Sequence, residues 1–140
     1  MLDFAKNMLI NGGYTCVLTD GERKLCSLKR GVLPLVEFLK DGVPSGLYAA
    51  DKVVGKATAY LYVLLKIKSL FARVISQPAL TVLNSYGISV CYDEAVPNII
   101  NRAGDGICPF EKCVLDKSEP SEAYLALRPS KIQPAAKLRA

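Results

Sequence analysis

Apolar positions fall in two rhythms along this chain, and each change of rhythm marks an element. From Leu2 to Asn11 apolar residues recur at helical spacing and stop at Gly12-Gly13, which predicts a first helix. "YTCVLT" is β-branched and apolar, Asp20-Gly21 is a turn signal, and "KLCSLK" alternates, so a hairpin is predicted there. Gly31 then precedes "VLPLVEFLKDG", a short amphipathic helix with Pro34 in its first turn and Gly42 near its end.

The stretch "SGLYAADKVVGKATAYLYVLLK", Ser45 to Lys66, reads as a short strand to Ala50 that turns straight into a helix from Asp51. That helix carries Val53, Val54, Ala57, Tyr60, Leu61, Leu64 and Leu65, apolar on most of its surface, so it is expected to be covered on several sides. "SLFARVIS" is apolar at nearly every position, the mark of a strand inside a sheet with both faces covered. Ser76 caps the next helix, with Pro78 in its first turn and Gly87 past its end. "GISVCY" is a further strand, "DEAVPNIINR" a helix or turn, and Ser118 or Glu119 to Leu127 a last helix.

Strand–helix–strand units call for right-handed crossovers and parallel neighbours, and the opening hairpin adds antiparallel strands. The fold class is therefore α/β: a three-layer α/β/α sandwich around a mixed sheet. Residues 1–130 form one domain and 131–140, "KIQPAAKLRA", a basic C-terminal tail. Val53, Ala57, Leu61, Leu64, Ala72, Val74, Leu80, Leu83 and Val90 are expected in one core.

In open α/β sheets ligands bind where strands end and helices begin. Two such places matter, Ala50-Asp51-Lys52 and Ser76-Gln77-Pro78-Ala79, and they are expected to share a pocket. Asp51 and Lys52 are the candidate catalytic pair. Asp51 suits the helix cap and its dipole. Lys52 opposes that dipole, so it either reaches solvent, meets an anion, or works as a desolvated amine. Lys56 lies four residues on, and two like charges on one helix face call for an anion or acid between them. Ser76 is a cap and a candidate ligand contact. Asn101, Arg102 and Asp105 stand in the polar loop "NRAGDG"; they read as an ordinary turn or, through the Arg102 fork, as a carboxylate or phosphate site. Cys108 follows that loop and completes the candidate ligand-binding set.

Composition narrows the chemistry. Of 140 residues 51% are hydrophobic and 22% charged, a globular balance. No apolar run has membrane-spanning length and the N-terminus lacks the marks of a signal peptide, so a cytoplasmic location without membrane attachment is expected. The five cysteines are an odd number, which fits reduced thiols. The absence of His removes imidazole bases and every zinc site with a His ligand. Cys108 and Cys113 have four residues between them, without the tight gap or second pair of a zinc site. Neither a metal nor another cofactor is expected. The net charge is +5, but the tail supplies three of those charges and leaves +2 on residues 1–130. Arg23, Lys24, Lys29 and Arg30 lack interleaved aromatic residues, so nucleic acid is not the expected partner.

"AADKVVGKA", "VISQPAL", "YDEAVPNIINR" and "CPFEKCV", in that order, resemble a small domain-of-unknown-function family of bacteria and archaea within the cytidine deaminase-like superfamily. The resemblance covers roughly Leu2 to Leu115. It implies the deaminase-like fold and a pocket that in relatives holds a nucleobase or similar molecule. In the superfamily, His-Ala-Glu (or Cys-Ala-Glu) and Pro-Cys-x-x-Cys hold zinc. Set on those motifs, this chain has Ala50 and Lys52, then Ala79 and Val82, so zinc-dependent deamination is not carried over. Two functions follow. One is a metal-free binder, or enzyme, for a small anionic or nucleotide-like ligand near Lys52 and Ser76. The other is a non-catalytic regulatory or protein-interaction module that kept the fold and lost the active site. Whether the chain forms a homo-oligomer stays open.

Overall fold

The structure, a computed structural model, describes residues 2–29, 31–100, 104 and 106–127. Its elements are α1 (Leu2–Gly12), β1 (Cys16–Thr19), β2 (Lys24–Ser27), α2 (Leu33–Asp41), β3 (Tyr48–Val54), α3 (Lys56–Leu65), β4 (Ser69–Ser76), α4 (Gln77–Ser85), β5 (Ser89–Val96), α5 (Pro109–Cys113) and α6 (Pro120–Leu127). The five strands form one sheet in the order β2-β1-β3-β4-β5. The β1/β2 and β1/β3 pairs are antiparallel; β3/β4 and β4/β5 are parallel. The fold is thus the expected α/β sandwich around a mixed sheet.

Side chains alternate across the sheet and feed two cores. Val17, Ala50 and Phe71 point to one face, where Ala5 and Leu9 of α1 cover them. Cys16, Leu18, Ala49, Leu70 and Ala72 point to the other, where α2, α3, α4 and α6 pack. Helix α3 is the hub of that layer and packs against all four other helices of that side, α5 included. Ala57, Ala59, Leu61 and Tyr62 are fully buried, which explains why its sequence is apolar all round.

One boundary differs from the sequence expectation. The chain stays extended through Asp51, Lys52, Val53 and Val54, and α3 begins only at Lys56. Two consecutive valines favour a pleated strand, and Gly55 then releases the chain into a helix-forming run. Tertiary pairing completes the choice, because Asp51, Val53 and Val54 pair with Ala72, Val74 and Ile75 of β4. Three corrections follow. Asp51 does not cap a helix. Lys52 and Lys56 do not share a helix face. Val53 is 46% exposed rather than in the core. Ala57, Leu61, Ala72 and Leu83 are buried as expected, while Leu64, Leu80 and Val90 are half-buried against that core.

β5 likewise runs through Asp93 and Glu94 to Val96, where a helix or turn was the expectation. It is the sheet's outer strand, and charges on an edge meet water at little cost while discouraging edge-to-edge pairing. The local signals around β4 hold as read: Ser76 Oγ accepts from the Ala79 amide, and Gly87 adopts φ 75° after α4.

Candidate functional site

β1 and β3 differ in length, and a cavity opens where the shorter one stops. The β1/β3 ladder ends at the Cys16↔Asp51 pair, and β3 continues past it. Lys52 and Val53, beyond that pair, are both exposed. A cavity of about 760 Å³ lies over this end of β3. Its floor is Asp51 and Cys16, its walls include Val32, Val53, Ile99 and Phe110, and Thr15, Lys29 and Lys52 supply polar groups.

Asp51 lies at the centre of a buried polar chain. Tyr62 Oη donates to Asp51 Oδ2 at 2.7 Å, and the Val53 amide donates to Oδ1 at 3.3 Å. Cys16 Sγ lies 3.2 Å from Tyr62 Oη. Burial raises the Asp51 pKa from 3.8 to about 7, although the Tyr62 and backbone hydrogen bonds pull the other way. Burial first, and the Asp51 charge second, push the thiol of Cys16 and the phenol of Tyr62 well above their ordinary values. Both therefore stay neutral near pH 7, the region where Asp51 itself changes charge.

The opposite wall is α5. Glu111 is buried there, and its two carboxylate oxygens accept from the first amides of α3: Lys56 at 2.8 Å and Ala57 at 3.0 Å. A carboxylate suits this place because α3's N-terminal amides are otherwise unpaired and its dipole is positive there. Gly55 is needed for space, since a Cβ at that position would run into the Glu111 carboxylate. Gly31 does the same for Phe110, whose ring leaves no room for a Cβ, and its φ of 67° also favours glycine. Two glycines thus seat the wall of the cavity.

Of the candidates read from sequence, the cavity gathers Asp51, Lys52 and Cys108. Lys56 and Ser76 are not among its lining residues. Lys56 Nζ donates to the Leu115 carbonyl at 3.3 Å, and buried Ser76 is occupied as the cap of α4. Asn101, Arg102, Asp105 and the 131–140 tail lie outside the described residues. Lys29 is ion-paired with Glu37, whereas the Lys52 ammonium has no partner among the described residues. All five cysteines are free. Among the described residues no three His, Cys, Asp or Glu side chains converge as a metal site would need, and no helix is long and apolar enough to cross a membrane.

Sequence reasoning missed Cys16, Tyr62 and Glu111. Tyr62 reads as one more apolar position of α3, and Glu111 as a solvated charge on a short helix. One signal was available: Gly55, directly before a helix-forming run, marks a place where something packs against backbone.

A family model described as "TM1506: Domain of unknown function (DUF1893)" matches residues 4–130. The chain is also similar to the crystal structure of a DUF1893 family protein (TM1506) from Thermotoga maritima. The two share 34% identity, with 90% of this chain and 86% of that chain covered and a TM-score of 0.84. No curated protein matches the chain.

Proposed function

This chain belongs to the DUF1893 family, and from that premise we propose that its cavity binds a small anionic, nucleotide-like molecule. The observation that carries the reading is a cavity of about 760 Å³ with apolar walls and, among its lining groups, the Lys52 ammonium, which has no partner among the described residues. Small-molecule sites have this make-up: mostly apolar lining, with a few polar groups that fix orientation. Val32, Val53, Ile99 and Phe110 would hold a flat body. Lys52 would meet the anionic group. Asp51, titrating near neutrality, is the group suited to hold or move a proton, so Asp51 and Lys52 are the pair to test for catalysis.

The resemblance to the cytidine deaminase-like superfamily supports the nucleotide-like reading, because it implies a pocket of the kind that holds a nucleobase or similar molecule. Zinc-dependent deamination forms no part of the proposal. Lys56 and Ala57 open α3, Gln77, Pro78 and Ala79 open α4, and none of these side chains is a zinc ligand.

The test is a thermal-shift screen of the purified protein against nucleotides, nucleosides and phosphorylated metabolites, repeated with Lys52→Met. A ligand at 100 times its Kd stabilises the folded state by about 2.7 kcal/mol, a readily measured shift. The expected result is stabilisation by an anionic member of the set that Lys52→Met removes. If no compound stabilises the protein, the regulatory or protein-interaction reading takes its place.

A further inference from the structure

Among the described residues two carboxyl groups line the cavity, and their partners set them apart. Glu111 has each oxygen on an amide of α3 and a helix dipole to balance its charge. Asp51 has no helix dipole to balance it. Oδ2 is taken by Tyr62, Oδ1 receives the long 3.3 Å contact from the Val53 amide, and the Lys52 amide adds a further backbone contact. A carboxylate offers about four lone-pair positions, so acceptor capacity is left over on a group that borders the cavity.

No element packed around Asp51 brings it a positive charge among the described residues. Tyr62 of α3 and Cys16 of β1 are weak acids. Ala72 of β4 is apolar. Glu111 and Cys108 of the α5 segment face the same cavity and bring no positive charge. Lys29 is held by Glu37, and Lys52, next in sequence, is exposed. An Asn here would accept from the Val53 amide through its one oxygen and donate an N–H to the Tyr62 oxygen, without the desolvation penalty of a buried charge. The acid therefore does something that the fold alone does not require.

We infer that Asp51 selects the ligand: its free acceptor capacity receives an N–H from the bound molecule, and the matching ligand feature is an amidine-like edge, an N–H beside a ring nitrogen. The inference deepens the small-molecule reading of the cavity and rests on it. An amidine-like edge pairs with a carboxyl group in either protonation state. The ionised acid accepts two N–H groups of the cationic edge, and the neutral acid donates to the ring nitrogen while accepting from the N–H. The proton moves between the two partners and no other bond changes. Burial that holds Asp51 near the midpoint of its titration at neutral pH makes both arrangements accessible. The apolar walls of Val53, Ile99 and Phe110 fit the flat ring that carries such an edge.

The experiment uses three flat probes of similar size: 2-aminopyridine, which carries the edge, and 2-methylpyridine and phenol, which do not. Affinities are measured near neutral pH for the wild-type protein and for Asp51→Asn. The expected result is that 2-aminopyridine binds wild type about tenfold more tightly than either control, and that Asp51→Asn erases the preference. A second readout needs no variant. In protein labelled with carbon-13, 2-aminopyridine shifts the Asp51 carboxyl resonance and the controls do not. Equal binding of all three probes, a preference that survives Asp51→Asn, or an unmoved Asp51 resonance overturns this inference alone. No binding by any of the three also overturns this inference, while the small-molecule reading on which it rests is decided separately by the nucleotide and metabolite screen.

Discussion

The phenol of Tyr62 on α3 donates to the carboxyl of Asp51 on β3 at 2.7 Å, and both side chains are buried. The bond ties the hub helix to the strand that leads into it, and places a titrating acid between the core and the cavity. Its first consequence is a dependence of stability on pH.

Asp51 has a folded pKa of about 7, raised from 3.8, so between these values the folded state keeps a proton that the unfolded state releases. Stability owed to this group is therefore present at low pH and lost as pH rises toward neutrality. The loss is at most about 4 kcal/mol and levels off above about pH 7. Asp51→Asn is expected to remove this component and to be the more stable protein above that pH. Urea unfolding of both proteins at several pH values from about 4 to 8 gives the difference curve. A flat curve would mean that Asp51 is not desolvated.

Gly55→Ala forces a Cβ into the Glu111 carboxylate and is expected to cost about 1–3 kcal/mol, as overpacking does. Glu111→Ala strips two α3 amides of their acceptor and is expected to cost about 1–3 kcal/mol. The double variant should cost less than the two singles added, because removing the carboxylate makes room for the methyl group. Denaturant midpoints of the four proteins check this; strict additivity would separate the two residues.

Leu61→Ala opens a cavity in the middle of the helical layer and is expected to cost about 2–5 kcal/mol. Val53→Ala, at a site 46% exposed, is expected to change stability by less than about 0.5 kcal/mol. Chemical denaturation of the two variants side by side measures the contrast. Similar losses would place Val53 in the core after all.

Lys52→Met removes an exposed ammonium and is expected to leave stability within about 0.5 kcal/mol of wild type. Affinity for the anionic ligand found by screening should fall at least about tenfold, since a charge-assisted hydrogen bond is lost. Binding that survives the change unaltered would move the anion contact elsewhere.

Purified protein is expected to carry no stoichiometric zinc, because the chain has no His and Ala79 and Val82 have no metal-binding atoms. Elemental analysis decides it. One tightly held zinc per chain, lost on replacing Cys108 or Cys113, would overturn the expectation.

Most of the scaffold is legible in the sequence because its signals are local. Ser76, Pro78 and Gly87 bracket α4 within eleven positions of each other, and the backbone follows them. Asp20-Gly21 closes the hairpin, and the apolar run Ser69–Ser76 is an interior strand. Asp51 and Lys52 are charges at the end of an apolar strand, a legible mark of a site, but they lie within β3 and not at a helix start. "DKVVGKA" suits either a strand or a helix start. The β4 ladder selected the strand, and a run of seven residues holds no record of its pairing partner.

The sequence alone determined the order of elements, their turns and caps, and the apolar character of the hub helix, because each depends on residues within a turn or two of one another. Only the tertiary structure decided the site. Tyr62 lies 11 positions from Asp51, Cys16 lies 46 from Tyr62, and Glu111 lies 54 from the Ala57 amide that it receives. Those meetings depend on where β1 stops against β3 and on how α5 lies across the start of α3. Burial converts them into chemistry: the same Asp51 carboxyl would have an ordinary pKa in water and titrates near neutrality only because the fold has taken the water away.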